Sequence, residues 1–271
     1  MKKQLFYGAT CMMGLFFGCQ EDIQNPAASL TTVPQLKRME WPTLGQTATF
    51  GYATDGTLRT AKYQHAAGTI DRDYTYGANG VIGISSSQSL AGNTFEYIGG
   101  RLSKMNRNVK DGSAYRTYQT LTYTFNAHMQ LTALKFYKNN TSGTELVYTS
   151  TYDYISGLPA EIETTSQTGR RMLIRIEQYS DEVIYNPLHF LDPEITQLYP
   201  LYNLPLLQHM ANWNKLPAVF SLYRYEQNQP VLEKTYEFDY TIVNRKLLKQ
   251  RCKITDIEIS AVTLLETTFH Y

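Results

Sequence analysis

The feature that most limits this chain is a loose repeat: two aromatic residues one position apart, a turn, then an aliphatic residue six to nine positions after the first aromatic. It reads Phe50-Gly51-Tyr52 with Asp55-Gly56 and Leu58, then Tyr74-Thr75-Tyr76 with Asn79-Gly80 and Val81. Further copies are Phe95-Glu96-Tyr97 with Gly99-Gly100 and Leu102, Tyr123-Thr124-Phe125 with Asn126 and Leu131, and Tyr152-Asp153-Tyr154 with Gly157 and Leu158. A late copy is Phe238-Asp239-Tyr240 with Asn244 and Leu247. The starts at 50, 74, 95, 123 and 152 lie 21 to 29 residues apart, the length of two strands with their turns. Asp-Gly, Asn-Gly and Gly-Gly supply the positive φ angles that tight hairpins require.

Between these landmarks the period is two. From Val231 to Ile242 one face carries Val231, Glu233, Thr235, Glu237, Asp239 and Thr241, the other Leu232, Lys234, Tyr236, Phe238, Tyr240 and Ile242. Leu121 to Ala127 alternates likewise, with Leu121, Tyr123 and Phe125 on one side. Such alternation marks strands with one dry and one wet face, and the 22 Tyr, 11 Phe and 2 Trp fit half-buried pleated surfaces. The spacing predicts about 14 to 16 strands, nearly all paired with their sequence neighbours. Only the stretch between Asn186 and Pro217 breaks the pattern. There Asp192-Pro193-Glu194 and Asn203-Leu204-Pro205 are helix starts, and Leu206, Leu207, Met210 and Trp213 share one face of a short helix. The expected fold is mainly β, a single long antiparallel meander, curved or barrel-like, packed around one short helical insert near 192–214.

The first residues read as an address. Lys2 and Lys3 precede an apolar run from Leu5 to Gly18, too short for a transmembrane helix of about 20 residues and suited to a signal peptide at 1–18. The run closes on Leu15-Phe16-Phe17-Gly18-Cys19, which resembles a bacterial lipobox, so Cys19 is the expected lipidation site. Gln20-Glu21-Asp22 follows, and an acidic pair there resembles the signal that sends Bacteroidetes lipoproteins to the cell surface. Residues 19–35 lack periodicity and read as a tether, leaving 36–271 as the β domain. Of the other cysteines, Cys11 leaves with the signal peptide and Cys252 remains alone, which excludes an intrachain disulfide and a cysteine-based zinc site.

The Tyr-x-Tyr-plus-turn units, Asn186-Pro187-Leu188, Asn214-Lys215-Leu216-Pro217, Tyr223-Arg224-Tyr225 and Tyr236 to Tyr240 together resemble a Bacteroidetes lipoprotein family of unknown function. Its domain is described as porin-like, and its repeats are similar to the Tyr-Asp repeats of Rhs-type proteins. The resemblance covers roughly residues 45 to 271. It implies no reaction and carries over no catalytic residue.

The residues themselves offer little chemistry. Gly77, Gly80 and Gly83 are spaced for hairpins and precede no helix, so no nucleotide cradle is expected. Neither a Gly-x-Ser-x-Gly elbow nor a His-Glu-x-x-His helix occurs, and His65, His128, His189, His209 and His270 are scattered. Asp71-Arg72-Asp73 places two carboxylates on one strand face, read as a solvated edge rather than a cation site. With 25 Lys and Arg facing 24 Asp and Glu, and Lys2 and Lys3 lost on cleavage, the mature chain is near neutral, which excludes an electrostatic nucleic-acid binder. Apolar-out, polar-in strands of an outer-membrane barrel would give the same alternation, but the lipobox, the apolar helix and Lys234 in mid-stripe argue against it. The expectation is therefore an outer-membrane lipoprotein, displayed at the cell surface or facing the periplasm. It acts without catalysis as a binding module for a glycan, peptide or envelope partner, or as an accessory of an envelope complex. No cofactor or metal is expected, and the ligand-contacting residues are open. Tyr199, Tyr202 and Trp213 are the aromatics nearest the insert that could be exposed.

Overall fold

In the computed structural model, residues 34–86, 91–112, 114–181 and 215–271 are described. They form sixteen strands: β1 (Arg38–Trp41), β2 (Gln46–Tyr52), β3 (Leu58–His65), β4 (Gly68–Gly77), β5 (Gly80–Ser85), β6 (Ala91–Ile98), β7 (Arg101–Asp111) and β8 (Ala114–Phe125). There follow β9 (Leu131–Asn140), β10 (Gly143–Ile155), β11 (Leu158–Ser166), β12 (Arg171–Tyr179), β13 (Pro217–Glu226), β14 (Gln229–Val243), β15 (Lys246–Asp256) and β16 (Ala261–His270). Each strand pairs antiparallel with its sequence neighbour, and β1 closes on β16 through Arg38↔His270, Met39↔Phe269 and Glu40↔Thr268, so the sheet is a closed barrel. The antiparallel meander expected from the sequence is the observed fold. Closure removes the unpaired edges that a long open meander would expose. The helical insert expected near 192–214 lies outside the described residues, where the only helix is a turn of 3-10 type at Pro42–Leu44.

The aromatic units explain how the strands are shaped at one end. The second aromatic of each unit lies opposite an aliphatic residue at the start of the next strand: Tyr52↔Leu58, Tyr76↔Val81, Tyr97↔Leu102 and Phe125↔Leu131. At Tyr154 the partner is Pro159, with Leu158 opposite Ile155. In every one of these hairpins the register shifts just there, leaving one extra residue on the odd-numbered strand: Arg59, Ile82, Ser103, Thr132 or Ala160. Such a bulge turns the strand by one residue, so that positions three apart face the same way. Leu58 and Ala61, Leu131 and Leu134, and Pro159 and Ile162 are accordingly all buried, contrary to strict alternation. Gly99 and Gly100, with φ of 57° and 77°, let the β6–β7 connection turn in two residues.

The same end is laced by tyrosine hydroxyls. Tyr52 donates to the carbonyl of Leu36 (2.8 Å), Tyr97 to Val81 (2.9 Å), Tyr154 to Leu131 (3.0 Å) and Tyr240 to Pro217 (2.6 Å), and Tyr179 donates to Pro159. Each acceptor lies at or just before the beginning of an odd-numbered strand and each donor at or near the end of the next even-numbered one. All five bonds therefore sit at the end of the barrel that holds the start of β1 and the ends of β12 and β16, the sealed end.

The two faces of the wall differ in chemistry. Met39, Trp41, Ala48, Tyr63, Met105, Leu121, Ile162, Phe220, Phe238 and Phe269 point to one face and belong to a single buried cluster fed by strands around the whole barrel. In a barrel this is the inner face. Burial of each large side chain contributes roughly 1.5–3 kcal/mol. The outer face carries ion pairs: Arg171–Glu163 (2.6 Å), Arg175–Glu161 (2.8 Å), Lys253–Glu237 (2.8 Å), Lys249–Glu266 (2.6 Å) and Lys104–Glu96 (3.0 Å). Between them runs a lattice of Thr and Asn side chains on β6 to β10. There Asn108 donates to Thr94, Thr117 to Asn108, Thr120 to Asn106 and Asn139 to Thr120.

Candidate functional site

The inner face changes character along the barrel. Toward the sealed end it is apolar, whereas two cross-strand rows on β7 to β10 lead from the core to a polar mouth at the other end. The inner row is Met105, Leu121, Phe136 and Tyr148, aligned by the registers Met105↔Leu121, Leu121↔Phe136 and Tyr148↔Phe136. The Phe136 and Tyr148 rings stack with centroids 5.0 Å apart and planes at 23°. The row above it is Arg107, Gln119, Lys138 and Glu145, through Arg107↔Gln119, Gln119↔Lys138 and Glu145↔Lys138.

Arg107 is held by a bond from its guanidinium to Gln119 Oε1 (3.0 Å), while its Nε is buried with no hydrogen-bond partner among the described residues. Burial pushes the Tyr148 hydroxyl above its ordinary pKa, and Arg107 partly offsets this by favouring the phenolate. Lys138 and Glu145 are exposed. Elsewhere on the inner face near this end, Lys234 pairs with Asp256 (2.9 Å) and holds that carboxyl below its ordinary pKa through their hydrogen bond. Arg224 bridges Glu226 (2.8 Å) and Glu258 (3.1 Å). The mouth thus joins a stacked aromatic pair to charges of both signs, a surface suited to a polar, uncharged ligand rather than to an ion of one sign.

The residues singled out from sequence fall elsewhere. Cys19, His189, Tyr199, Tyr202, His209 and Trp213 lie outside the described residues. Asp71 and Asp73 alternate with the inward residues of β4 and so sit on the outer face, while Arg72 between them is buried inside. No cluster of three metal-ligating side chains occurs among the described residues. His65 accepts from the Ala67 amide (3.3 Å), His128 is exposed in the β8–β9 turn, and His270 stands 3.6 Å from Glu40 on the outer wall. The Cys252 thiol is buried, which pushes its pKa up to about 12. Tyr236 and Phe238, candidates for an aromatic platform, are core residues stacked on Phe220 at 4.5 and 5.8 Å. The mouth rows could not be found from spacing, because they are assembled across four strands and shifted by bulges at Arg107/Asn108 and Leu146/Tyr148.

Two solved structures share this architecture. A porin-like protein from Bacteroides uniformis ATCC 8492 superposes with a TM-score of 0.57 at 18% identity, over 88% of this chain and 98% of that one. A porin-like protein from Bacteroides vulgatus ATCC 8482 gives 0.53 at 12% identity, over 87% and 98%. The likeness is one of fold: a porin-like antiparallel β-barrel. No protein-family model matches the chain, and no curated protein matches it.

Proposed function

We propose that this protein is a lipid-anchored barrel of the outer membrane that stands in water and binds a glycan at its polar mouth without catalysing a reaction. The observation that carries this reading is the distribution of charge across the wall. Membrane-spanning barrels present an apolar band outward, and an Arg or Lys facing lipid at the midplane costs about 2–4 kcal/mol. Here Arg171, Arg175, Lys253, Lys249 and Lys104 all face outward with carboxylate partners, and the buried apolar cluster faces in. A circular barrel of sixteen strands would leave an aqueous channel, whereas the inner face here is a buried core toward the sealed end. Attachment through Cys19 and export by Gln20-Glu21-Asp22 complete the reading.

A glycan suits the mouth because sugar C–H faces pack on aromatic rings such as Phe136 and Tyr148. Arg107, Gln119, Lys138 and Glu145 offer donors and acceptors for hydroxyl groups. A second reading, an accessory role in an envelope complex, is favoured by an exposed aliphatic corner of Ile257, Ile259, Val262 and Leu264 beside the mouth.

The Cys19→Ala chain is expected in detergent-free buffer as a soluble barrel. Recovery only in detergent, with conductance in planar bilayers, overturns the water-standing reading. On a glycan array, the exposed Lys138→Ala should weaken a wild-type hit at least tenfold while leaving the melting temperature unchanged. Turnover of a glycan, lost on changing Glu145 alone, would establish an enzyme instead.

A further inference from the structure

Exposed aliphatic side chains gather at the tips of the sealed end. Ile98 in the β6–β7 turn is 75% exposed, Met129 in β8–β9 51%, Ile155 in β10–β11 70% and Val243 in β14–β15 48%. A turn tip standing in water gains nothing from such residues, and four hairpins display one each. At the opposite end the exposed aliphatics are Leu44 in the β1–β2 connection and the cluster on the β15–β16 corner. Arg101, Arg245 and Lys246 lie beside the sealed-end tips, so the rim pairs apolar points with cationic ones, the combination by which a surface element settles into the headgroup and acyl boundary of an anionic bilayer.

The chain path says which surface this end faces. β1 begins at Arg38 at the sealed end, and the Leu36 carbonyl is fastened there by Tyr52. The chain from Cys19 enters the barrel at the sealed end, so that end, and not the mouth, is the one nearest along the chain to a lipid on Cys19. We infer that the sealed-end tips at Ile98, Met129, Ile155 and Val243 dock on the lipid surface that holds the Cys19 acyl chains, fixing the barrel upright with its mouth turned away from the membrane. This rests on the lipid-anchor reading above and adds a second, non-covalent contact to it.

The test uses the mature full-length chain reconstituted in vesicles of phosphatidylethanolamine and phosphatidylglycerol. Ile98→Cys, Ile155→Cys and, from the other end, Ile259→Cys are each labelled with an environment-sensitive dye. The buried Cys252 does not compete for it. All three positions are exposed, so melting temperatures should match. Dyes at 98 and 155 are expected to shift to the blue and to be quenched at least threefold more by brominated lipid than the dye at 259. Equal quenching at the three positions, in protein that carries a fatty-acid analogue at Cys19, overturns the docking and leaves the anchor intact. Absence of the fatty-acid label from the wild-type chain overturns the anchor reading itself, and the docking with it.

Discussion

The Tyr154 hydroxyl donates to the carbonyl of Leu131, 3.0 Å away and 23 residues earlier, at the point where the β8–β9 ladder shifts register. A bulge interrupts the regular ladder, and a buried carbonyl left without a partner costs free energy. The tyrosine meets that cost from the neighbouring strand. Tyr52 and Leu36, Tyr97 and Val81, Tyr179 and Pro159, and Tyr240 and Pro217 repeat the relationship, so each unit of the meander closes the bulge or strand start of the one before it. This gives the high tyrosine content a structural reason beyond hydrophobic burial.

Removing one such hydroxyl should be measurable and local. Tyr154→Phe and Tyr240→Phe keep the ring and lose the bond, each at an expected cost of about 1 kcal/mol, which lowers the melting temperature by roughly 2–4 °C. The two bonds share no partner, so the double variant should lose about the sum. Thermal denaturation followed by circular dichroism checks both. Unchanged melting would show that these carbonyls are satisfied by water.

The bulges also show where reading the sequence by period two stops working. The repeat, the hairpin turns and the meander were visible because aromatic pairs and Asp-Gly, Asn-Gly and Gly-Gly steps are local signals. Closure was legible only as a curved or barrel-like form and not as a particular pairing, since the three residue pairs joining β1 to β16 lie at the two limits of the described barrel. The apolar residues that open the bulged odd strands sit three apart, as in Leu131 and Leu134, and strict alternation assigns them to opposite faces. Leu131→Ala and Leu134→Ala should therefore each cost 2–5 kcal/mol, within the usual range of about that size for core truncations, while Lys135→Ala on the outer wall should change stability by about 0.5 kcal/mol or less. Chemical denaturation of the three variants distinguishes the bulged register from an alternating one, in which only one leucine would be costly.

Of the candidate site, the composition of both signs and the general use of an aromatic surface were legible, but the residues were not. Glu145 faces inward only because the β9–β10 ladder slips at Leu146/Tyr148, whereas Lys138 follows Leu134 and Phe136 by plain alternation and looks in sequence like any surface lysine. The stripe on β14 that runs through Tyr236 and Phe238 looks no different in sequence from a binding platform, and only the burial of these two rings in the barrel settles their role.

Cys252 reports on opening of the wall. The thiol is buried in the core, burial pushes its pKa up to about 12, and its neighbours Arg251 and Lys253 face outward in ion pairs. Thiolate is the reactive species, so the native protein at neutral pH should react with iodoacetamide at least a hundredfold more slowly than the unfolded chain. Mass spectrometry of the alkylated protein with and without denaturant measures the ratio. Near-equal rates would mean that β14 and β15 separate readily.

High pH should unfold the barrel from its tyrosines. Burial, the leading cause in each case, pushes Tyr76, Tyr154 and Tyr236 from the ordinary 10.0 up to about 12, and it raises Tyr148 and Tyr152 as well. A group whose folded pKa is raised binds more protons folded than unfolded once the pH exceeds the unfolded value. Its contribution is therefore complete below pH 10 and is lost as the pH rises toward 12. Because many tyrosines are shifted together, the loss should be cooperative: little phenolate below pH 10, then a steep rise in tyrosinate absorbance coincident with loss of the β signal in circular dichroism. Tyr154→Phe removes one raised group and one bond, so it should lower stability at neutral pH yet flatten the alkaline decline. Gradual, non-cooperative titration centred near the ordinary 10.0 would mean that the tyrosines are solvated, and that the sealed end is open to water.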